Sequence, residues 1–167
     1  MNLPLLNPRK KLINWLFDWT MILYCKFKTK AAWGITTNQL LEMPSHSLGF
    51  HLGQLLHKNK FELIPKVERH DIYHLITGYG TTVEEEIALQ YCCFGNGKRT
   101  LYLYGVLLVG TFLLPEYISE YIKAYQLGRN INSFHHFDYK KLLSVNYKDF
   151  RNNIFTKSHF SVVLHNK

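Results

Sequence analysis

Between Arg69 and Glu86 the chain reads Arg-His-Asp-Ile-Tyr-His-Leu-Ile-Thr-Gly-Tyr-Gly-Thr-Thr-Val-Glu-Glu-Glu, and no other stretch limits the rest of the molecule as much. His70 and His74 stand four residues apart, so on a helix their imidazoles share one face, with Asp71 about a quarter-turn round. Gly78 and Gly80 interrupt the helical pattern, and Glu84, Glu85 and Glu86 open a second one. A turn of that length returns a carboxylate of the second helix to the imidazoles of the first. Two neutral imidazoles with carboxylates suit a divalent cation, zinc foremost at about 2.0–2.2 Å, with iron or manganese as alternatives. Spacing alone leaves a plainer arrangement open, in which the histidines lie at the surface and the acids complement helix dipoles. Nor does it single out Glu86 from its two neighbours.

The flanking sequence is helical in pattern. Leu12, Trp15, Leu16, Trp19 and Leu23 form one stripe, and Ile13, Phe17, Met21 and Tyr24 make the other side apolar too. Such a helix is a core helix with snorkelling lysines, or lies at an interface, for which Trp15 and Trp19 beside basic residues are suited. A short helix over Thr37–Glu42 ends at Pro44. Ser45 or Ser47 then caps a helix whose Leu48, Leu52, Leu55 and Leu56 share a face. Gly49 and Gly53, four apart, allow another helix to approach closely. The motif helix begins near Val67 and ends around Gly78–Gly80. Thr82-Val-Glu-Glu85 is a capping box, so the next helix starts at Thr82, buries Val83, Ile87, Tyr91 and Phe94, and stops at Gly95-Asn-Gly97. Lys98–Leu114 reads as an apolar helix broken by Pro115. Helix resumes through Tyr117, Tyr121 and Tyr125 to Leu127, with Gly128 as the stop. These two apolar helices either wall an apolar cavity or form ordinary core. A loop over residues 129–137, short helices near Tyr139–Val145 and Tyr147–Phe155, and a frayed or weakly extended segment after Thr156 complete the expected chain. The fold class is all-α: a single-domain bundle of about seven to eight helices, with an apolar cavity beside a metal site.

Composition narrows the class further. With 167 residues, 47% of them hydrophobic, the chain holds a real core. Its net charge is +8, and the excess sits at the two ends: Arg9, Lys10, Lys11, Lys26, Lys28 and Lys30 near one, Lys140, Lys141, Lys148, Arg151, Lys157 and Lys167 near the other. No nucleic-acid motif accompanies that charge, so an anionic membrane surface is the expected partner and nucleic acid is not. Three cysteines, Cys25, Cys92 and Cys93, give neither a disulfide framework nor a CxxC metal spacing. The longest apolar run, Leu101 to Leu114, is 14 residues, short of the roughly 20 that cross a bilayer. No secretory signal is evident. A mitochondrial transit peptide stays open, because residues 1–17 contain no acid.

His-Asp-x-x-His followed after eleven residues by Glu, here His70, Asp71, His74 and Glu86, resembles the metal signature of the fourth coenzyme Q biosynthesis protein family, which acts in ubiquinone synthesis. The flanks Pro44–Gly49, Leu75–Tyr79 and Glu86–Leu89 resemble that family too, and the likeness covers residues 36–155, strongest over the motif. The resemblance implies His70, Asp71, His74 and Glu86 as metal ligands, with Asp71 and Glu86 as the catalytic carboxylates. It implies replacement of the ring carboxyl of a prenylated hydroxybenzoate-type lipid by hydroxyl, or a part in organising the biosynthetic complex with other quinone-biosynthesis proteins. Arg69, Tyr73 and Tyr79 are candidate substrate-binding residues; Arg69 either meets an acidic headgroup or forms a surface salt bridge with Glu68 or an intrahelical neighbour. Family likeness and the Gly49/Gly53 surface together favour a homodimer. The expected location is peripheral: the cytoplasmic face of a bacterial membrane, or the mitochondrial inner membrane in a eukaryote.

The chain then divides into a basic, apolar N-terminal helical segment (1–35), the ubiquinone-biosynthesis-like helical domain (36–155) and a C-terminal tail (156–167). Two rival readings accompany this one. The first is a non-catalytic lipid-binding scaffold with a structural metal. The second is an HD-type metal phosphohydrolase, which needs a further upstream His (His51 or His57) and a downstream Asp (Asp138 or Asp149).

Overall fold

The computed structural model describes residues 8–27, 29 and 31–165. Among the described residues eight α-helices follow one another: α1 (Pro8–Phe27), α2 (Thr37–Leu41), α3 (Leu48–Asn59), α4 (Glu68–Thr77), α5 (Val83–Gly95), α6 (Leu101–Leu113), α7 (Ile118–Asn130) and α8 (Tyr147–His165). Short 3-10 turns cover Pro115–Tyr117 and Tyr139–Leu142. Among the described residues there is no strand, only an isolated bridge between Ser47 and Asn146. The all-α reading therefore holds.

α5 is the central helix, packed against α7, α6, α1 and α4. Its Val83 and Ile87 are buried as expected, and so are Ala88, Leu89, Cys92 and Cys93, because neighbours surround it on nearly every side. Its closest partner is α7. A Cβ on Gly128 would fall 2.0 Å from the carbonyl oxygen of Cys92, and one on Gly95 would fall 2.1 Å from that of Tyr125. Gly128 thus serves as a crossing point. The expectation that it ends the helix is corrected: α7 runs through it to Asn130. Gly53 plays a similar part against the backbone of α2, where a Cβ would lie 3.0 Å from the Leu41 nitrogen.

The caps follow the sequence. The Ser47 side chain accepts from the Phe50 N–H at 3.1 Å and starts α3. The Thr82 hydroxyl donates to Glu85 Oε2 at 2.8 Å and starts α5. At the far end, α8 is a single helix running past Thr156 to His165, where a frayed segment is the sequence expectation.

α1 sits differently from its apparent stripe. Ile13 is fully buried and Phe17 packs on the core, while Leu12, Trp15 and Trp19 are exposed, Trp15 by 55%. The side chains of Met21, Leu23 and Tyr24, together with Lys28, Lys30, Lys167 and the Lys157 side chain, lie outside the described residues. Ion pairs pin the start of the helix: Arg9 to Glu116 and Lys10 to Glu84, both at 2.8 Å. α6 shows a second apolar face to solvent, with Leu101 90%, Leu108 73% and Phe112 83% exposed. Among the described residues no single helix is long and apolar enough to cross a membrane. α6 and the segment Pro115–Asn130 pass such a test only jointly, bent by 104°.

Candidate metal centre

α4 carries the two imidazoles, and both of its ends are held. At its start the Trp33 N–H donates to Glu68 Oε1 at 2.8 Å. At its end the last carbonyls have no intrahelical donors. Instead, Tyr147 Oη donates to the Leu75 carbonyl at 3.0 Å and Arg151 Nε to the Ile76 carbonyl at 2.9 Å, both from α8. Gly78 then takes a left-handed conformation (φ 82°) and its N–H closes on the His74 carbonyl at 2.8 Å. That turn delivers Thr82 and the first turn of α5, so Glu86 returns to α4.

His70 Nε2 lies 3.0 Å from Glu86 Oε2, His74 Nε2 lies 3.0 Å from Glu86 Oε1, and the two Nε2 atoms are 3.1 Å apart. Glu86 thus reaches one imidazole with each oxygen. His74 Nδ1 is 3.0 Å from the Tyr79 carbonyl oxygen. A carbonyl only accepts, so Nδ1 carries a proton, and in the neutral ring Nε2 turns its lone pair to the cluster. A hydrogen bond of this kind behind a ligating imidazole orients it and fixes its tautomer. His74 is sealed at 5% exposure, whereas His70 and Glu86 are partly open to solvent.

The donor set fits a divalent cation. Tetrahedral zinc with bonds of about 2.0–2.1 Å separates its ligand atoms by roughly 3.3 Å. The distances here need only a few tenths of an ångström of expansion. Without a cation, lone pairs this close repel unless a proton intervenes, and the electrostatics show that tension. Burial pushes the Glu86 carboxyl up, but hydrogen bonds from His70 and His74 and their charge outweigh it and hold it down to about 2. Burial pushes the His74 imidazolium down, and the Glu86 bond and charge reverse this to a net rise. Burial lifts the Asp71 carboxyl to about 6 against the pull of His70 and His74.

Among the described residues the converging ligand atoms are those of His70, His74 and Glu86. Asp71 is beside the cluster, close enough to feel all three charges, yet its oxygens are not in that set. The quarter-turn offset on α4 is the physical reason. Tyr79 contributes through its backbone carbonyl, and Tyr73 points to the loop after α7, donating from Oη to the His135 carbonyl at 3.1 Å. Arg69 makes no ion pair with Glu68; its guanidinium donates to the same His135 carbonyl at 3.4 Å. His51 packs on Tyr147, with ring centroids 4.4 Å apart, and neither it nor His57, Asp138 or Asp149 joins the cluster. Two neighbours are absent from the expected site. Lys98 lies over the Tyr73 ring at 5.3 Å, and Gln90, one helical turn beyond Glu86, has a buried Oε1 with no hydrogen-bond partner.

The sequence profile of the coenzyme Q (ubiquinone) biosynthesis protein Coq4 matches residues 32–158. The chain belongs to the Coq4 family. That membership supports a role in ubiquinone biosynthesis. A crystal structure from Nostoc punctiforme, of a protein provisionally assigned to ubiquinone biosynthesis, shares the fold. Its TM-score is 0.60 at 18% identity, covering 89% of this chain and 81% of that one. No functionally curated protein matches the sequence. In the Coq4 family frame the matched segment contains all of α2 to α7, and so every residue of the His70–His74–Glu86 cluster.

Proposed function

We propose that this Coq4-family chain is a metal-dependent protein of ubiquinone biosynthesis. His70, His74 and Glu86, with Asp71 as a further ligand or proton carrier, hold one divalent cation, zinc foremost. The site acts on the ring of a prenylated hydroxybenzoate-type lipid. The observation that carries this reading is the convergence of two imidazole nitrogens and one carboxylate within 3.1 Å of each other, with His74 oriented from behind by Tyr79. A cation bound there would supply Lewis-acid stabilisation to ring oxygens. The chain's own residues orient the ring and exclude water on the sealed His74 side, and Asp71 moves the proton. Exchanging a ring carboxyl for hydroxyl oxidises the ring by two electrons; with dioxygen as the oxidant the step balances as ring carboxylic acid plus dioxygen plus water giving ring hydroxyl, carbon dioxide and hydrogen peroxide.

The exposed apolar faces of α1 and α6 and the net positive charge support a peripheral site on an anionic membrane, where the prenyl tail resides. The same faces favour the second reading: a scaffold that holds a lipid intermediate among other quinone-biosynthesis proteins, as a homodimer, with a structural metal.

Metal analysis of the purified chain, joined to mass spectrometry of co-purified lipid, tests the proposal. One metal per chain is expected, lost in His70→Ala and in Glu86→Ala. Full retention in both variants overturns the ligand assignment. In the cobalt-substituted protein, a visible spectrum that changes on adding azide reveals an open position and favours the enzyme; an unchanged spectrum favours the scaffold.

A further inference from the structure

Two cations stand beside the metal cluster with no carboxylate to neutralise them. Arg69 precedes His70 on α4 and is half-buried, and Lys98 follows the end of α5 and is half-buried as well. Neither forms an ion pair among the described residues. Among the described residues the Arg69 guanidinium has one hydrogen bond, to the His135 carbonyl, and Lys98 has the face of Tyr73. A carbonyl and an aromatic face are weak partners for charges withdrawn from water. Both cations border the same phenol, since Tyr73 Oη donates to the carbonyl that Arg69 uses.

Lys98 also reaches the neighbourhood of the cluster through Tyr73, whose ring centroid lies 6.5 Å from that of His70. Glu86, Gln90 and Cys93 follow one another at helical spacing on a single face, and the Cys93 thiol feels Lys98 and Glu86 with opposite sign. Gly97 (φ 101°) brings the strand of chain carrying Lys98 under the His135 ring, where a Cβ would lie 3.2 Å from Cε1. The loop after α7 and the end of α5 are thereby fixed against each other.

We propose that Arg69 and Lys98 form an oxyanion subsite flanking the His70–His74–Glu86 cluster, which takes a carboxylate or phosphate group of the ligand while the ring faces the cation. The inference rests on the metal-site reading for what lies next to the anion, and adds the residues that select an acidic ligand. Arg69 supplies a planar fork and Lys98 a point charge, a pair suited to either oxyanion through charge-assisted hydrogen bonds.

Calorimetric titration of the zinc-loaded full chain with inorganic phosphate and, separately, 4-hydroxybenzoate tests it. Each of Arg69→Gln and Lys98→Gln weakens the bound probe by about tenfold or more, as expected for loss of a charged hydrogen bond. Zinc content stays at the wild-type level, and Lys98→Arg retains binding. Tighter binding of phosphate assigns the subsite to a phosphorylated ligand, and tighter binding of 4-hydroxybenzoate assigns it to an aryl carboxylate. Unchanged affinity in both Gln variants, or no binding of either probe by zinc-loaded wild type, overturns the proposal while leaving the metal centre standing. Loss of the metal centre itself shows separately, as absence of zinc in the wild-type chain. If a Gln variant fails to fold by circular dichroism, the Met variant at the same position carries the comparison: loss of probe binding supports the subsite, and full retention counts against that residue.

Discussion

His74 donates its Nδ1–H to the Tyr79 carbonyl across 3.0 Å, so the backbone of the glycine turn sets which nitrogen the imidazole offers to the cluster. The turn between α4 and α5 is therefore part of the site, although it contributes no ligating side chain.

Gly78 holds that turn at φ 82° with open space where a Cβ would be. Gly78→Ala meets backbone strain of about 1 kcal/mol. A shift of the turn moves the Tyr79 carbonyl off His74, and loss of such a supporting bond weakens metal affinity by about tenfold to a hundredfold. Competition against a chromophoric chelator measures it; wild-type affinity in the variant would show that the turn does not support the ligand.

In the proposed site, protons and cation compete for His74. Its pKa is raised above 6.5 in the metal-free chain, so its ion pair with Glu86 stabilises that chain fully below 6.5, and the gain is lost as pH rises through the folded value. Zinc needs the neutral ring, so its contribution runs the other way. The rise in Tm on adding zinc is expected to grow from about pH 5.5 to about pH 7.5. A zinc-induced shift that is flat across this range, read by differential scanning fluorimetry, contradicts the assignment of His74 as a ligand.

A methyl group at the α5–α7 crossing has nowhere to go, because backbone lies 2.0 Å from the ideal Cβ of Gly128. Gly128→Ala is expected to destabilise the fold by about 1–3 kcal/mol, the range for overpacked cores. Urea denaturation reads the cost, and a midpoint equal to wild type would mean that the two helices separate freely.

Cys92 and Cys93 are fully buried, and burial pushes both thiols up, that of Cys93 to about 11. Cys25 is partly exposed. Since the thiolate is the reactive form, Ellman's reagent should modify one thiol quickly in the native protein and all three in denaturant. Three fast thiols in the native state would contradict the packing of α5.

The converging imidazoles were legible because helical spacing is local: His70 and His74 share a face by arithmetic, and the Thr82–Glu85 box fixes where α5 begins. The resemblance then singled out Glu86, which spacing does not. What stayed hidden depends on chain that is distant in sequence. Lys98 and His135 join the neighbourhood of α4 only through the packing of α5 and the loop after α7. Gly128 reads as a helix stop until the carbonyl of Cys92 is seen against it. The inward face of α1 was equally hidden, since a helix apolar on two sides carries no signal of which side faces the core; Ile13 and Phe17 face inward, and the tryptophans do not.

Tyr147 and Arg151 close the carbonyl end of α4 from 72 and 75 residues further along the chain. During synthesis the imidazole-bearing helix leaves the ribosome long before these braces do. The nascent protein therefore carries its histidines on an unbraced helix until α8 emerges, and assembly of the His70–His74–Glu86 cluster becomes a late event.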